Sequence, residues 1–244
     1  RARYPNHVTV SAGDLIGASQ TASAVYLDEP TIGAMNRIGL DFDAVGNHEF
    51  DAGQRELLRK QVGGCAQYTQ RKPCQIEQFT GAQFRFLAAN VVTADGRTLF
   101  PATGIKRFGS GKTRVSVGFI GLTLKDTPAL VSSEGTAGLS FVDEAEAINR
   151  AVPQLRAQGA DAVVVLIHQG GSQEEPADPD GCHALSGEIL PILARIDPRV
   201  DVVVSGHTHR SYVCDYAAID PTRPFLLTSA GLYGQMATDI ALTI

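Results

Sequence analysis

Short apolar runs alternate with polar, glycine-containing segments along almost the whole chain. Val8–Ala12 has the pattern of a short buried strand, with Gly13-Asp14 as the turn at its carboxyl end. A helical stretch spans Thr21 to Leu27, and a second helix starts at Pro30, a residue suited to the first helical position. Ile32, Met35 and Ile38 give that helix an apolar stripe, and Gly39 caps it. Phe42 to Val45 is the next strand and delivers Gly46-Asn47-His48-Glu49-Phe50-Asp51, after which Gln54 to Gln61 is helical. Phe84 to Ala89 predicts a strand ending at Asn90, residues 94–113 are rich in turn formers, and Arg114 to Ile120 is again a strand.

The second half repeats the rhythm. Asp143 with Glu146 forms a capping box. Ile148, Val152 and Leu155 continue the inner face of that helix, Pro153 is expected to kink it, and Gly159 ends it. Asp161 to Ile167 is wholly apolar after its first residue, the signature of a strand buried on both faces, and it ends at His168. A helix is expected from Ala184 to Ile196, then a buried strand from Val200 to Ser205 that ends at Gly206-His207-Thr208-His209. Pro224 to Ser229 and Asp239 to Ile244 predict further strands. Such alternation is that of an α/β protein, whose ligands bind outside the carboxyl ends of its strands.

The chemistry gathers at those ends. Asp14 offers a carboxylate and Asn47 a neutral amide oxygen that a hard divalent ion accepts. His48 beside it must point elsewhere, which leaves it free for acid–base work with Asp51 to orient it. His168 follows a wholly apolar strand, a place where a satisfied buried histidine is the commoner outcome. His207 and His209 differ: a spacing of two in an extended segment puts both imidazoles on one side. Imidazole combined with carboxylate and amide oxygen suits zinc, manganese, iron or cobalt better than calcium. Four strand ends of this kind imply one metal centre assembled from the whole fold.

Composition narrows the partners. A formal charge of -5 over 244 residues leaves no basic footprint for duplex nucleic acid. A phosphorylated small molecule stays compatible, because a bound cation supplies the positive charge that side chains do not. No linker divides the chain, so one domain over residues 1–244 is expected, as a monomer. Neither a membrane-spanning run nor a signal peptide is present, and the abrupt opening at Arg1-Ala2-Arg3 has the look of the interior of a longer protein. The four cysteines, Cys65, Cys74, Cys182 and Cys214, lack the close spacing of a zinc knuckle. We read them as two disulfides, Cys65–Cys74 and Cys182–Cys214, against the alternative of four buried thiols. Paired cysteines point to a periplasmic or secreted location. Gly109-Ser110-Gly111-Lys112-Thr113 imitates the tail of a phosphate-binding loop, but Lys106 occupies the first glycine position and a strand follows, so ATP binding there is rejected.

Gly13-Asp14, Gly46-Asn47-His48-Glu49, His168 and Gly206-His207-Thr208-His209 occur in the order found in calcineurin-like metallophosphoesterases. The longer Gly46–Asp51 segment, with Ala12-Gly13-Asp14 and Ala89-Asn90-Val91, resembles the bacterial 5′-nucleotidase branch. The resemblance implies a four-layer α/β/β/α sandwich and a two-metal hydrolase of nucleoside monophosphates. Cyclic nucleotides, UDP-sugars or sulfur esters are alternative substrates, and a non-catalytic metal-binding scaffold is the alternative to an enzyme. On the family's pattern Asp14 bridges two divalent ions, Asn47, His168 and His207 complete one site, and His209 belongs to the other. His48 with Asp51 then protonates the leaving alkoxide, and Asn90 lines the substrate approach. The family's Asp-x-His motif and first strand, expected before Gly13, are not found in the chain, nor is its nucleoside-gripping C-terminal domain. The resemblance therefore implies a fragment with one metal rather than two.

Overall fold

The computed structural model describes residues 4–244. In chain order the elements are β1 (Val10–Ser11), α1 (Thr21–Ala24), α2 (Glu29–Ile38), β2 (Phe42–Ala44), α3 (Gln54–Val62), β3 (Arg85–Leu87), β4 (Val91–Thr93), β5 (Thr103–Phe108), β6 (Val115–Leu122), α4 (Thr127–Leu130), β7 (Leu139–Phe141), α5 (Glu144–Ala157), β8 (Ala162–Ile167), α6 (Ile189–Leu193), β9 (Val202–Ser205), β10 (Ser211–Asp215) and β11 (Leu226–Ala230). A 3₁₀ turn, His48–Phe50, follows β2.

Two sheets face each other. The smaller has the order β1-β2-β3, all parallel; the larger has the order β10-β11-β9-β8-β6-β5, parallel inside and antiparallel at both margins. β4 and β7 form a separate antiparallel pair. The alternation along β8 explains its unbroken apolar sequence. Ala162, Val164 and Leu166 pack against Phe42, Ala44 and Leu87 of the small sheet, whereas Val163, Val165 and Ile167 pack under α5 and α6. Both faces are dry, so neither can carry a polar residue. Across the seam the Phe42 and Phe119 rings stack with centroids 4.9 Å apart. Gly104 leaves room for that pair, since a Cβ there would meet the Phe42 ring at 2.2 Å. Ile32 of α2 and Leu57 of α3 cover the other face of the small sheet with Phe50 and Phe86. The layers are therefore α/β/β/α, the four-layer sandwich expected.

Caps and clasps follow local chemistry. The Asp143 carboxylate accepts the Glu146 amide at 3.0 Å, closing the start of α5, and the helix continues through Pro153. Both disulfides form as expected, Cys65–Cys74 and Cys182–Cys214. Among the described residues no helix is long and apolar enough to cross a membrane.

Several predicted elements are corrected. The helix expected over 184–196 shrinks to Ile189–Leu193: Ala184 takes a left-handed conformation and residues 186–188 are exposed, so the inward-facing side chains are Ile189, Ile192, Leu193 and, just past the helix, Ile196. Residues 239–244 form no strand, and most of them are exposed. The turn-rich 94–113 contains β5, which pairs along its whole length with β6. β10 has no counterpart among the predicted strands. Thr21–Leu27 is helical only to Ala24, since Leu27 and Asp28 both have positive φ, 54° and 56°.

The two disulfides differ in the length of chain they close, with sequence separations of 9 and 32. On the chain-entropy relation, replacing Cys182 and Cys214 by alanine should cost about 1 kcal/mol more than replacing Cys65 and Cys74. Urea denaturation of the two double variants measures that difference.

Candidate metal centre and proton-donor pair

The carboxyl ends of β1, β2, β8 and β9 meet where the two sheets converge. Gly13 (φ +92) turns the chain after β1, and its bare Cα lies so close to His168 that a Cβ would sit 2.6 Å from Nδ1. That ring nitrogen donates to the Ala12 carbonyl at 2.7 Å, an oxygen that can only accept. Nε2 of the same ring faces Asp14 Oδ2 at 3.0 Å and Asn47 Oδ1 at 3.1 Å. His207 Nδ1 lies 3.1 Å from the same Asn47 oxygen, with the two imidazole centroids 5.1 Å apart.

This donor set has a chemical consequence. With the His168 proton on Nδ1, Nε2 presents a lone pair to a carboxylate and an amide oxygen, so three acceptors converge on one point. Either a second proton or a cation must reconcile them. The ligand atoms of Asp14, His168 and His207 all lie within 4.8 Å of one another. A carboxylate, two imidazoles and an amide oxygen fit a divalent transition ion. The Ala12 carbonyl would be the outer partner that fixes the ring's orientation.

The local charges agree. Burial pushes the Asp14 carboxyl up, but the hydrogen bond and charge of His168, with the His48 amide at 2.9 Å, bring it net below the usual carboxylate range. Burial and the neighbouring His168 lower His207, which favours the neutral imidazole that a metal needs.

Glu49 is the functional residue that the sequence motif contains without revealing its task. Its buried carboxylate accepts four main-chain amides: Asp14 at 2.9 Å and Gly46 at 2.6 Å on one oxygen, Leu15 at 2.7 Å and Ile16 at 3.3 Å on the other. One side chain thus fixes the loops after β1 and β2 against each other. Desolvation, then Asp43 and Asp14, push its carboxyl well above the usual range, while the amides pull it back. Asp43, also buried, is raised to about 7 by desolvation, and its Oδ2 has no partner among the described residues.

His48 leaves the cluster and pairs with Asp51, Nδ1 to Oδ2 at 2.8 Å, both side chains about one third exposed. A cavity of about 200 Å³ flanks the pair, between Ile16–Ser19, Asp28, Leu57 and Lys60. A second, of about 370 Å³, adjoins His207 and is lined by Gln169, Gly170, Leu124 and Leu130.

Two expectations change. The segment after β9 is not extended: His207 and His209 have φ of 69° and 58°, so the strand rule that put them on one side does not apply. His209 is exposed, stands 6.2 Å from the Tyr233 ring, and lies outside the Asp14–His168–His207 group. Asn90 does not line an approach. It is fully buried and spends its amide on the Thr123 carbonyl, the Val142 carbonyl and the Thr123 amide, where it pins the loop after β6.

Residues 1–211 match the calcineurin-like phosphoesterase family. The chain belongs to that family. Members of this family use divalent metals, and the cluster above is a possible metal site in this chain. The chain is 34% identical over 211 residues to endonuclease YhcR of Bacillus subtilis, covering 86% of itself and 16% of that protein. It is 29% identical over 203 residues to a 5′-nucleotidase of Vibrio cholerae, covering 82% of itself and 32% of that protein. The crystal structure of a 5′-nucleotidase precursor from Thermus thermophilus superposes with a TM-score of 0.59 at 28% identity, over 85% of this chain and 34% of that one. The chain thus spans about a third or less of the length of each of these proteins.

Glu49→Gln should destabilise the protein by roughly 3 kcal/mol or more, because an amide NH₂ would face two main-chain donors. Chemical denaturation of the metal-free protein measures it. Asp43 gives a pH test. Its folded pKa lies above the unfolded value near ~3.9, so its contribution is present at low pH and fades as pH rises towards 7. Asp43→Asn should flatten that part of the stability curve, measured in chelator from pH 4 to 8.

Proposed function

We propose that this chain is the catalytic portion of a metal-dependent phosphomonoesterase acting on nucleoside 5′-monophosphates outside the cytoplasm. The observation that carries the reading is the adjacency of two units. Asp14, Asn47, His168 and His207 converge on one point, and the next residue after Asn47 is an imidazole turned away and held by a carboxylate.

In this reading Asp14, Asn47, His168 and His207 would hold a divalent ion, and in a two-metal parent protein His209 would serve the second. When bound, such cations neutralise phosphoryl oxygens and lower the pKa of water. His48 donates the proton that the departing ribose 5′-oxygen needs, and Asp51 keeps Nδ1 occupied so that Nε2 faces substrate. Glu49 keeps both loops in register while the charge at the centre changes. The kinship with nucleotidases supports the substrate class, and the two disulfides support an oxidising compartment. The domain is taken to run over residues 1–244, with a nucleotide as its small-molecule partner.

His48→Ala should retain metal while turnover of AMP falls by roughly 10²–10⁴-fold, the span typical of a general acid. Asn47→Ala should lose metal occupancy instead. Metal analysis alongside phosphate release separates them; equal metal loss in both variants would overturn the division of roles.

A further inference from the structure

We propose that Asp28 is a positioning residue that holds the proton-donor pair in place through the loop at residues 17–18. The proposal rests on the phosphomonoesterase reading above, in which His48 protonates the leaving group.

The connection is a run of short contacts. The Asp28 side chain is buried. Its Oδ2 accepts the Gly17 amide at 3.1 Å, and its Oδ1 accepts the Ser23 hydroxyl at 2.7 Å. Ser23 is itself 2.6 Å from the Thr31 hydroxyl of α2, so the carboxylate is anchored to a helix. Gly17, with φ +78, lies flat on His48: a Cβ there would sit 2.0 Å from the His48 carbonyl oxygen. The next residue, Ala18, donates its amide to Asp51 Oδ2 at 3.2 Å. That oxygen is the one 2.8 Å from His48 Nδ1. Asp28 therefore sets Gly17, Gly17 sets Ala18, and Ala18 fixes the oxygen that orients the imidazole.

The backbone is strained along the same path. Leu27, Asp28 and Ala18 all have positive φ, 54°, 56° and 38°. Left-handed backbone at non-glycine residues persists only where surrounding contacts hold it, and such strain gathers around functional sites. Aspartate tolerates this conformation better than most residues, which makes position 28 one where a side chain could be placed under strain and still reach Gly17. A residue that served only to turn the chain would need no carboxylate there, and glycine would suffice.

That distinction supplies the experiment. Asp28→Gly keeps the left-handed backbone and deletes the carboxylate. Asp28→Asn keeps both the conformation and an acceptor oxygen. With the intact protein supplied with a divalent metal, Asp28→Gly should lower kcat on AMP about tenfold, short of the hundredfold that an outright misplacement can cost, with KM unchanged. On p-nitrophenyl phosphate, whose phenolate leaves without needing a proton, kcat should not move. Asp28→Asn should restore most of the AMP rate. In the metal-free protein, amide deuterium uptake over residues 15–20 should rise in Asp28→Gly and stay near wild type in Asp28→Asn.

A loss of equal size on both substrates, or unchanged AMP turnover and unchanged exchange, would overturn the role. His48→Ala on the same two substrates separates this failure from that of the parent reading. If His48→Ala spares p-nitrophenyl phosphate and Asp28→Gly does not, the proposal for Asp28 fails alone. If His48→Ala itself shows no preference between the substrates, the proton-donor reading fails with it. Should Asp28→Gly fold poorly, Ser23→Ala frees only Oδ1 and carries the same comparison, with a smaller but equally selective loss expected.

Discussion

The hydrogen bond from His168 Nδ1 to the Ala12 carbonyl joins the two sheets at the point where the candidate centre is built. His168 belongs to the end of β8 in the larger sheet, and Ala12 to the end of β1 in the smaller. Everything else at the site depends on that crossing. It sets which imidazole nitrogen carries a proton, it brings the other nitrogen to Asp14 and Asn47, and it requires the bare Gly13 between them. The Phe42–Phe119 stack and the dry β8 face hold the sheets together; the histidine decides how their ends face each other.

Around this crossing the fold concentrates negative charge. Asp14, Asp43 and Glu49 lie within mutual electrostatic reach, the latter two wholly buried, and the charge of Asp14 raises both of them. Main-chain amides offset part of the repulsion, four on Glu49 and one on Asp43. The protein therefore keeps carboxylates close together in a dry setting at the expense of its own stability, an arrangement that a cation relieves and a hydrophobic core would never favour.

How much of this is legible in the sequence depends on whether the signal is local. The parallel strands are legible because burial on both faces forces an unbroken apolar run, as in Ala162–Ile167, and because glycine followed by a polar residue marks the carboxyl ends of β1, β2 and β9. The start of α5 is legible from Asp143 and Glu146 alone. What escapes is relational. β5 is a strand because β6 lies beside it, not because residues 103–108 alternate strongly. Residues 239–244 carry a strand-like pattern but find no partner. Asn90 reads as a polar residue at a strand end, yet its amide is consumed by main chain on both sides. Glu49 stands in the motif with no task of its own in the sequence, and only the folded loops show four donors aimed at it. His207 and His209 are paired by a strand rule that ends at Ser205, before the backbone turns left-handed.

The margins of the larger sheet separate two kinds of freedom. β5 and β10, its outermost strands, run antiparallel to their neighbours, while β8 and β9, which deliver His168 and His207, lie in its interior. A slip or insertion at either margin can be absorbed by an adjoining hairpin without altering the phase of the central strands. Over evolutionary time such a sheet can exchange its borders, and whatever those borders touch, while the inner strands keep the same atoms at the same ends.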